Sequence, residues 1–407
     1  MAGRVRQPID EAAFTRYLEN ELPQINQIKG PIELKQFGFG QSNPTYLVTG
    51  ADGRRLVLRK KPPGKLVSQT AHKVEREYRI MRALEATAVA VPKTYGLCED
   101  ASVIGTPFYM MEYLDGRIFE DFAMPDVGAD ERTRLWRAAT ETLARLHAVD
   151  FHRVGLADFG RQSGFYGRQV KTWRTICASQ EAVVDVETGE PVGRLPHQDD
   201  LVRFFDDERM RPRDRATLVH GDFKIDNIVF HKTEARVIGI LDWEMSTIGH
   251  PLSDVCNFLM QFYTASEPQT GRFSTTSFLP GQTAGLPTAE QLVRWYSEAS
   301  GYDPSRDLTW GMAFNIFRGA AVAQGIAARQ AARQASSEQA REYAATRGSL
   351  AELAWKLVAR ARTEKEEEEE EDDNNNDNDN DNDNDNDNDN DNDNDNNGGK
   401  KLKSSRL

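Results

Sequence analysis

Short apolar runs bounded by polar and turn residues occupy three stretches near the N-terminus, residues 31–37, 45–49 and 55–60. Runs of that length and composition predict strands. Between the second and third, Asp52-Gly53 has the chemistry of a tight hairpin turn. Ahead of them, residues 10–22 carry Ala13, Phe14, Tyr17 and Leu18 at helical spacing behind Asp10, a capping residue type. Residues 67–84 read as a helix with Val74, Tyr78, Met81 and Leu84 along one side, and strands follow at 93–98 and 107–113. The first 115 residues therefore predict a five-strand, mainly antiparallel unit with one helix inside it.

After Gly116 the pattern changes. Residues 130–149 form a long amphipathic pattern, and 252–263 and 288–300 are helical in spacing. The Ala-rich stretches 310–336 and 338–362 favour helix. Residues 151–214 read as irregular, and 217–230 with 236–242 as short strands flanking polar loops. The expected architecture is a two-lobed α+β fold: a small sheet lobe over 1–115 and a mostly helical lobe over 116–363. A tail over 364–407 has too little apolar area to offset chain entropy and is expected to be disordered.

Charge reinforces that division. Residues 364–397 hold nineteen acidic residues and one lysine, a net of −18 against −13 for the whole chain, so the body is close to neutral. No basic surplus supports nucleic-acid binding. The three cysteines, Cys98, Cys177 and Cys256, are far apart and read as free thiols. No apolar run approaches the ~20 residues of a membrane helix, and the N-terminus has no secretory h-region.

The densest chemistry lies in Leu218-Val219-His220-Gly221-Asp222-Phe223-Lys224-Ile225-Asp226-Asn227-Ile228-Val229-Phe230, a polar loop between apolar strands. Asp222 and Asn227 have the spacing of a kinase catalytic loop, in which the Asp accepts the substrate hydroxyl proton and the Asn holds magnesium. Asp242, in Ile240-Leu241-Asp242-Trp243-Glu244, occupies the place of the second magnesium ligand. Lys224 can stabilise charge on the transferring phosphoryl group. Each motif alone has a commoner ordinary reading: the loop a turn, the charges a solvated face. Their order and gaps carry the inference.

Together these residues resemble the aminoglycoside phosphotransferase and choline kinase superfamily, as does the continuation Gly249-His250-Pro251-Leu252-Ser253-Asp254. The resemblance implies a kinase-like fold using ATP and Mg2+, an Asp254 that braces the catalytic loop, and a buried structural His147. It gives roles to the N-terminal lobe too. Gly38, Gly40, Ser42 and Asn43 would approach phosphates through a loop between two strands. Arg59 or Lys60 would hold the phosphates, with Glu77 (favoured over Glu75) as ion-pair partner. Glu112, Tyr113 and Leu114 would form the hinge that reads adenine.

A narrower resemblance rests on Gln41-Ser42-Asn43-Pro44-Thr45, on Leu58-Arg59-Lys60-Lys61-Pro62-Pro63-Gly64-Lys65 and on Gly105-Thr106-Pro107-Phe108-Tyr109. These are similar to the kinase-like domain fused to acyl-CoA dehydrogenase in family members ten and eleven. That implies a hydroxy acid or hydroxyacyl-CoA as the small-molecule hydroxyl acceptor. Choline-, homoserine- or aminoglycoside-type kinases and a catalytically dead nucleotide-binding scaffold are the alternatives. The ending Ser405-Arg406-Leu407 resembles a peroxisomal address, so an import receptor is an expected partner and the peroxisome the expected location, with the cytoplasm as alternative.

Overall fold

The computed structural model describes residues 2–22, 28, 30–38, 43–62, 73–266, 275–334 and 338–382. The chain divides into two compact units, Met1–Arg360 and Ala361–Leu407. Ser405-Arg406-Leu407, like Gly40, Ser42 and residues 63–72, lies outside the described residues.

The N-terminal lobe is one antiparallel sheet: β1 (Ala2–Gly3), β2 (Glu33–Phe37), β3 (Thr45–Thr49), β4 (Arg55–Lys60), β5 (Thr94–Cys98) and β6 (Phe108–Glu112). They lie in the order β1-β2-β3-β4-β6-β5. The β3–β4 hairpin closes as the Asp52-Gly53 pair requires. Gly53 takes φ 79° and donates to the Gly50 carbonyl at 2.9 Å, and the Asp52 carboxylate accepts from the Arg54 N–H at 3.1 Å. Helix α1 (Glu11–Glu21) starts where Asp10 accepts from the Ala13 N–H at 2.9 Å. It lays Phe14 and Leu18 on Tyr46, Val48, Leu56, Leu58, Phe108 and Met110. Each fully buried side chain of that size contributes about 1.5–3 kcal/mol.

Strand alternation then fixes the chemistry. Leu56 and Leu58 belong to the α1 face, so Val57 and Arg59 belong to the other. There lies α2 (Val74–Leu84), which buries Val74, Glu77, Ile80, Met81 and Leu84. The polypeptide leaves the lobe through Gly116, where an added Cβ would sit 2.3 Å from the Phe230 carbonyl oxygen. That close approach lets Arg117 and Phe230 exchange N–H···O bonds of 2.7 and 2.8 Å.

The second lobe is helical around α3 (Ala129–His147), whose buried Leu135, Trp136, Ala139, Leu143 and Leu146 follow the helical period. Trp136 meets Phe258, Phe262 and Phe278 with centroids 5.0–6.1 Å apart. The stretch expected to be irregular contains two helices, α4 (Phe165–Glu181) and α5 (Gln198–Asp206). The usual start signal is missing from both, because their caps are Gly164 and His197 in the left-handed region. In α4, moreover, the buried Phe165, Tyr166, Val170 and Cys177 are spaced too unevenly to show a stripe.

Short strands β7 (Thr217–Val219), β8 (Ile228–Phe230), β9 (Val237–Ile240) and β10 (Thr247–Gly249) frame the polar loops, β7 pairing with β10 and β8 with β9. Helices α6 (Leu252–Thr264), α7 (Ala289–Ser300), α8 (Leu308–Ala331), α9 (Glu338–Ala345) and α10 (Arg347–Asn382) complete the order. Helix α10 includes Glu-rich residues expected above to be without structure; extending an existing helix avoids the cost of nucleation. All three cysteines are buried and free. Among the described residues, no helix is long and apolar enough to cross a membrane.

Candidate active site

The loop after β7 turns at Gly221, with φ 86° and a position where a Cβ would fall 2.6 Å from the Met245 carbonyl oxygen. Glycine is needed there twice over, for conformation and for space. Asp254, at the start of α6 and fully buried, accepts from the His220 N–H at 2.6 Å and the Gly221 N–H at 2.8 Å. His147 Nε2 approaches the same carboxylate at 3.2 Å, while His147 Nδ1 lies 2.7 Å from the Tyr296 hydroxyl. Burial alone would raise the Asp254 pKa, but these bonds and the two histidines hold it below the ordinary value. His220 is fixed as well: its Nδ1 accepts from the Asp222 N–H at 3.2 Å, so Nε2 carries the proton donated to the Leu241 carbonyl at 2.9 Å. Asp254 and His147 thus take the bracing and structural places expected of them.

This frame presents Asp222. Asn227 Nδ2 donates to its carbonyl at 2.9 Å and to its Oδ2 at 3.1 Å. Lys224 Nζ stands 3.3 Å from the same Oδ2 and 3.6 Å from Asp226. Burial opposes the lysine's charge, yet Asp222 and Asp226 outweigh it and raise its pKa.

Across the cleft, Arg59 Nη2 lies 2.7 Å from Asp242 Oδ1 and 3.3 Å from Glu244 Oε2. Its Nε is 2.7 Å from Glu77 Oε2, an ion pair by proximity rather than an aligned hydrogen bond. Glu77 also accepts from the Tyr109 hydroxyl at 3.0 Å and from Asn43 Nδ2 at 2.6 Å. Of the two alternatives on β4, Arg59 is therefore the residue of the site. Lys60 falls by alternation on the opposite face, and burial lowers its pKa. Glu77 is the partner, as favoured, while Glu75 pairs with Lys61 instead. The Asn43 amide donates to Glu77, which places Asn43 beside the Arg59 ion pair. Gly38 directly follows β2, and the rest of its loop is outside the described residues.

At the hinge, the Glu112 N–H is engaged by the Lys93 carbonyl at 2.8 Å, and the Tyr113 ring lies 4.2 Å beneath the Arg55 guanidinium. Leu114 packs against Gly239, where an added Cβ would meet the Leu114 Cδ1 methyl at 2.1 Å. The donor set suits a hard cation. The Asn227 amide nitrogen is committed to Asp222, which leaves its Oδ1 as an acceptor, and Asp242 offers a second carboxylate oxygen. The Leu241 N–H donates to the Asn227 carbonyl at 2.8 Å and holds the two loops together.

The profile of the phosphotransferase enzyme family matches residues 33–286, a span that contains Arg59, Glu77, Asp222, Asn227, Asp242 and Asp254. The chain belongs to that family.

Curated relatives point to one branch of the phosphotransferase family. Acyl-CoA dehydrogenase family member 10 of Mus musculus is 39% identical over 353 residues, covering 86% of this chain and 31% of the mouse protein. Acyl-CoA dehydrogenase family member 11 of Gallus gallus is 39% identical over 356 residues, covering 86% and 44%. The chain therefore spans less than half the length of these relatives. A solved structure from Ralstonia eutropha, provisionally assigned as an aminoglycoside phosphotransferase, is 32% identical with TM-score 0.74, covering 87% of this chain and 99% of that one. An aminoglycoside phosphotransferase solved with streptomycin and ATP shares the fold, with TM-score 0.51 at 15% identity over 83% and 98% of the two chains.

Three residues of the site were not assigned from sequence. Glu244 was visible beside Asp242 but had no partner until Arg59 was placed. Asn257, whose Nδ2 donates to the Phe223 carbonyl at 3.1 Å and reaches Asp222 Oδ1 at 3.5 Å, lies one helical turn after Asp254. That i, i+3 relation was a usable signal. Tyr109 reaches Glu77 from β6, and nothing in its local sequence distinguishes it from core.

Proposed function

We propose that this chain transfers the γ-phosphoryl group of ATP to a hydroxyl of a small molecule, and that the acceptor is a hydroxy acid or its CoA ester. The observation that carries the reading is Asp222 held by its clamped loop, with Asn227 beside it and Arg59 and Asp242 opposite. Asp222 takes the hydroxyl proton as the new O–P bond forms and the bond between the γ-phosphoryl group and ADP breaks. Arg59 leaves Asp242 for phosphate oxygens, a planar donor fork suited to them. Asn227 and Asp242 would hold magnesium, which supplies neutralising charge for the phosphates; Lys224 adds a cation beside Asp222. The acceptor class is supported by the likeness to acyl-CoA dehydrogenase family members.

The test is ATP consumption by the purified full chain with magnesium and a panel of hydroxy acids, their CoA esters, choline, homoserine and aminoglycosides. Asp222→Asn should lower turnover by roughly 10²–10⁴-fold. Undiminished turnover in that variant sinks the assignment of the base. Nucleotide binding with no turnover on any acceptor favours the scaffold alternative.

A further inference from the structure

The buried arginines among the described residues are heavily bonded, and one half-buried arginine is not. Arg132 donates to the carbonyls of Ala123, Met124, Val127 and Ala284. Arg59 faces three carboxylates. Arg318, on α8, makes no hydrogen bond and no ion pair among the described residues, and its Nε is both shielded from solvent and unpartnered. A shielded N–H left without an acceptor is costly, and such a group calls for a partner that completes it.

Its surroundings place it in the helical lobe behind the catalytic loop. Helix α8 packs closely on α6. A Cβ at Gly311 would fall 2.6 Å from Leu252 and 2.8 Å from the Cys256 sulfur, and Asn315 Nδ2 donates to the Cys256 carbonyl at 3.4 Å. One turn beyond Asn315, the Arg318 guanidinium carbon lies 5.9 Å from the centre of the Trp173 ring on α4. On α6 the neighbour of Cys256 is Asn257, whose Nδ2 reaches Asp222 Oδ1 at 3.5 Å, so α8 meets α6 beside the proposed base; burial pulls the Arg318 pKa down. Tyr166, nearly fully buried on α4, has a hydroxyl that also lacks a partner. Two unpaired donors, one charged, therefore lie on α8 and α4, each against an aromatic ring.

We propose that Arg318 determines acceptor specificity, its guanidinium receiving a carboxyl-derived oxygen of the acceptor while the acceptor's hydroxyl meets Asp222. The inference rests on the kinase reading of the same site. Planar carboxyl oxygens match the guanidinium fork. The ligand is the carboxylate of a free hydroxy acid or the carbonyl of its thioester, which share that chemistry. A cationic acceptor such as choline or an aminoglycoside meets a like charge and is turned away. Tyr166 supplies a second, uncharged donor to the same end of the acceptor.

The experiment uses the full chain and its Arg318→Gln and Arg318→Lys variants, each first shown to be folded by thermal melting. The acceptors are hydroxyhexanoates with the hydroxyl at each carbon, their CoA thioesters and the corresponding uncharged hexanediols. Arg318→Gln should raise KM for the acid or the thioester roughly a hundredfold, the worth of a charge-assisted hydrogen bond, with little change in kcat. The preference over the diol should fall with it. Arg318→Lys should recover part of the preference if the free carboxylate is the ligand and little of it if the carbonyl is. Calorimetric binding of the same compounds, with a non-hydrolysable ATP analogue present, separates the two readings. Binding by wild type that is lost in Arg318→Gln, with no phosphorylation by either, sinks the kinase and keeps Arg318 as an acyl-oxygen site. Phosphorylation with the same acid-to-diol ratio in wild type and Arg318→Gln overturns the specificity role and keeps the kinase. No binding of any of these compounds by wild type overturns the proposal outright.

Discussion

Glu77 and Asp254 are carboxylates of nearly equal burial, 1% and 0% exposed, whose pKa values move in opposite directions. Burial pushes Glu77 up to about 7 against the pull of Arg59, a cation it shares with Asp242 and Glu244. Asp254 stays below the ordinary range because fixed backbone N–H groups and His147 saturate it. The loop that carries the proposed base is thus held by bonds that suit one charge state. The nucleotide side is held by three carboxylates around one arginine, an arrangement that an arriving phosphate can redistribute. Stability should track the first region and ligand affinity the second.

The comparison breaks most directly at Asp254. Asp254→Ala leaves the His220 and Gly221 N–H groups and His147 facing a void, and should cost about 3–5 kcal/mol in urea unfolding. Wild-type stability would show that the clamp holds nothing. Acid should act on the same region. His250 is buried, with its Nδ1 accepting from the Leu252 N–H at 3.2 Å, and burial lowers its pKa to about 4. Its unfolded value is higher, so its contribution is complete above about pH 6.5 and is lost as pH falls toward 4. That amounts to on the order of 3 kcal/mol. A urea midpoint followed over this range should flatten in His250→Gln, and an unchanged slope would assign the acid loss elsewhere.

On the nucleotide side, Arg59→Lys replaces a fork that reaches Glu77 through Nε and Asp242 through Nη2. One ammonium cannot do both, and ATP affinity measured by calorimetry should fall about 10–100-fold, or about 1.4–2.8 kcal/mol. Equal affinity would remove Arg59 from phosphate binding. The smallest effect belongs to Glu75, whose pair with Lys61 keeps 29% and 23% side-chain exposure. Glu75→Gln should change stability by under about 1 kcal/mol, and less in high salt. A loss as large as that of Glu77→Gln would mean that the two carboxylates do not differ in the way described.

Local pattern made much of this legible. β3 and β4 appear with the bounds that the apolar runs and Asp52-Gly53 gave, because a hairpin is decided by residues close in sequence. The catalytic loop was readable because Asp222, Asn227 and Asp242 keep fixed spacing on neighbouring turns. What stayed hidden depends on contacts across the fold. The bond from Asn43 to Glu77 joins residues thirty-four apart, at 2.6 Å. The choice between Arg59 and Lys60 needed to know which sheet face carries α1. Helices α4 and α5 escaped because glycine and histidine cap them.

The buried thiols give the protein a built-in clock. Cys98 belongs to the sheet lobe, Cys177 to α4 and Cys256 to the α6 surface against Gly311, and burial raises the pKa of each. A thiol reagent reaches none of them in the closed fold, so each alkylation event marks an opening of its own segment. The order in which the three are trapped would rank the segments by how often they breathe, and ATP should slow the clock most where it binds.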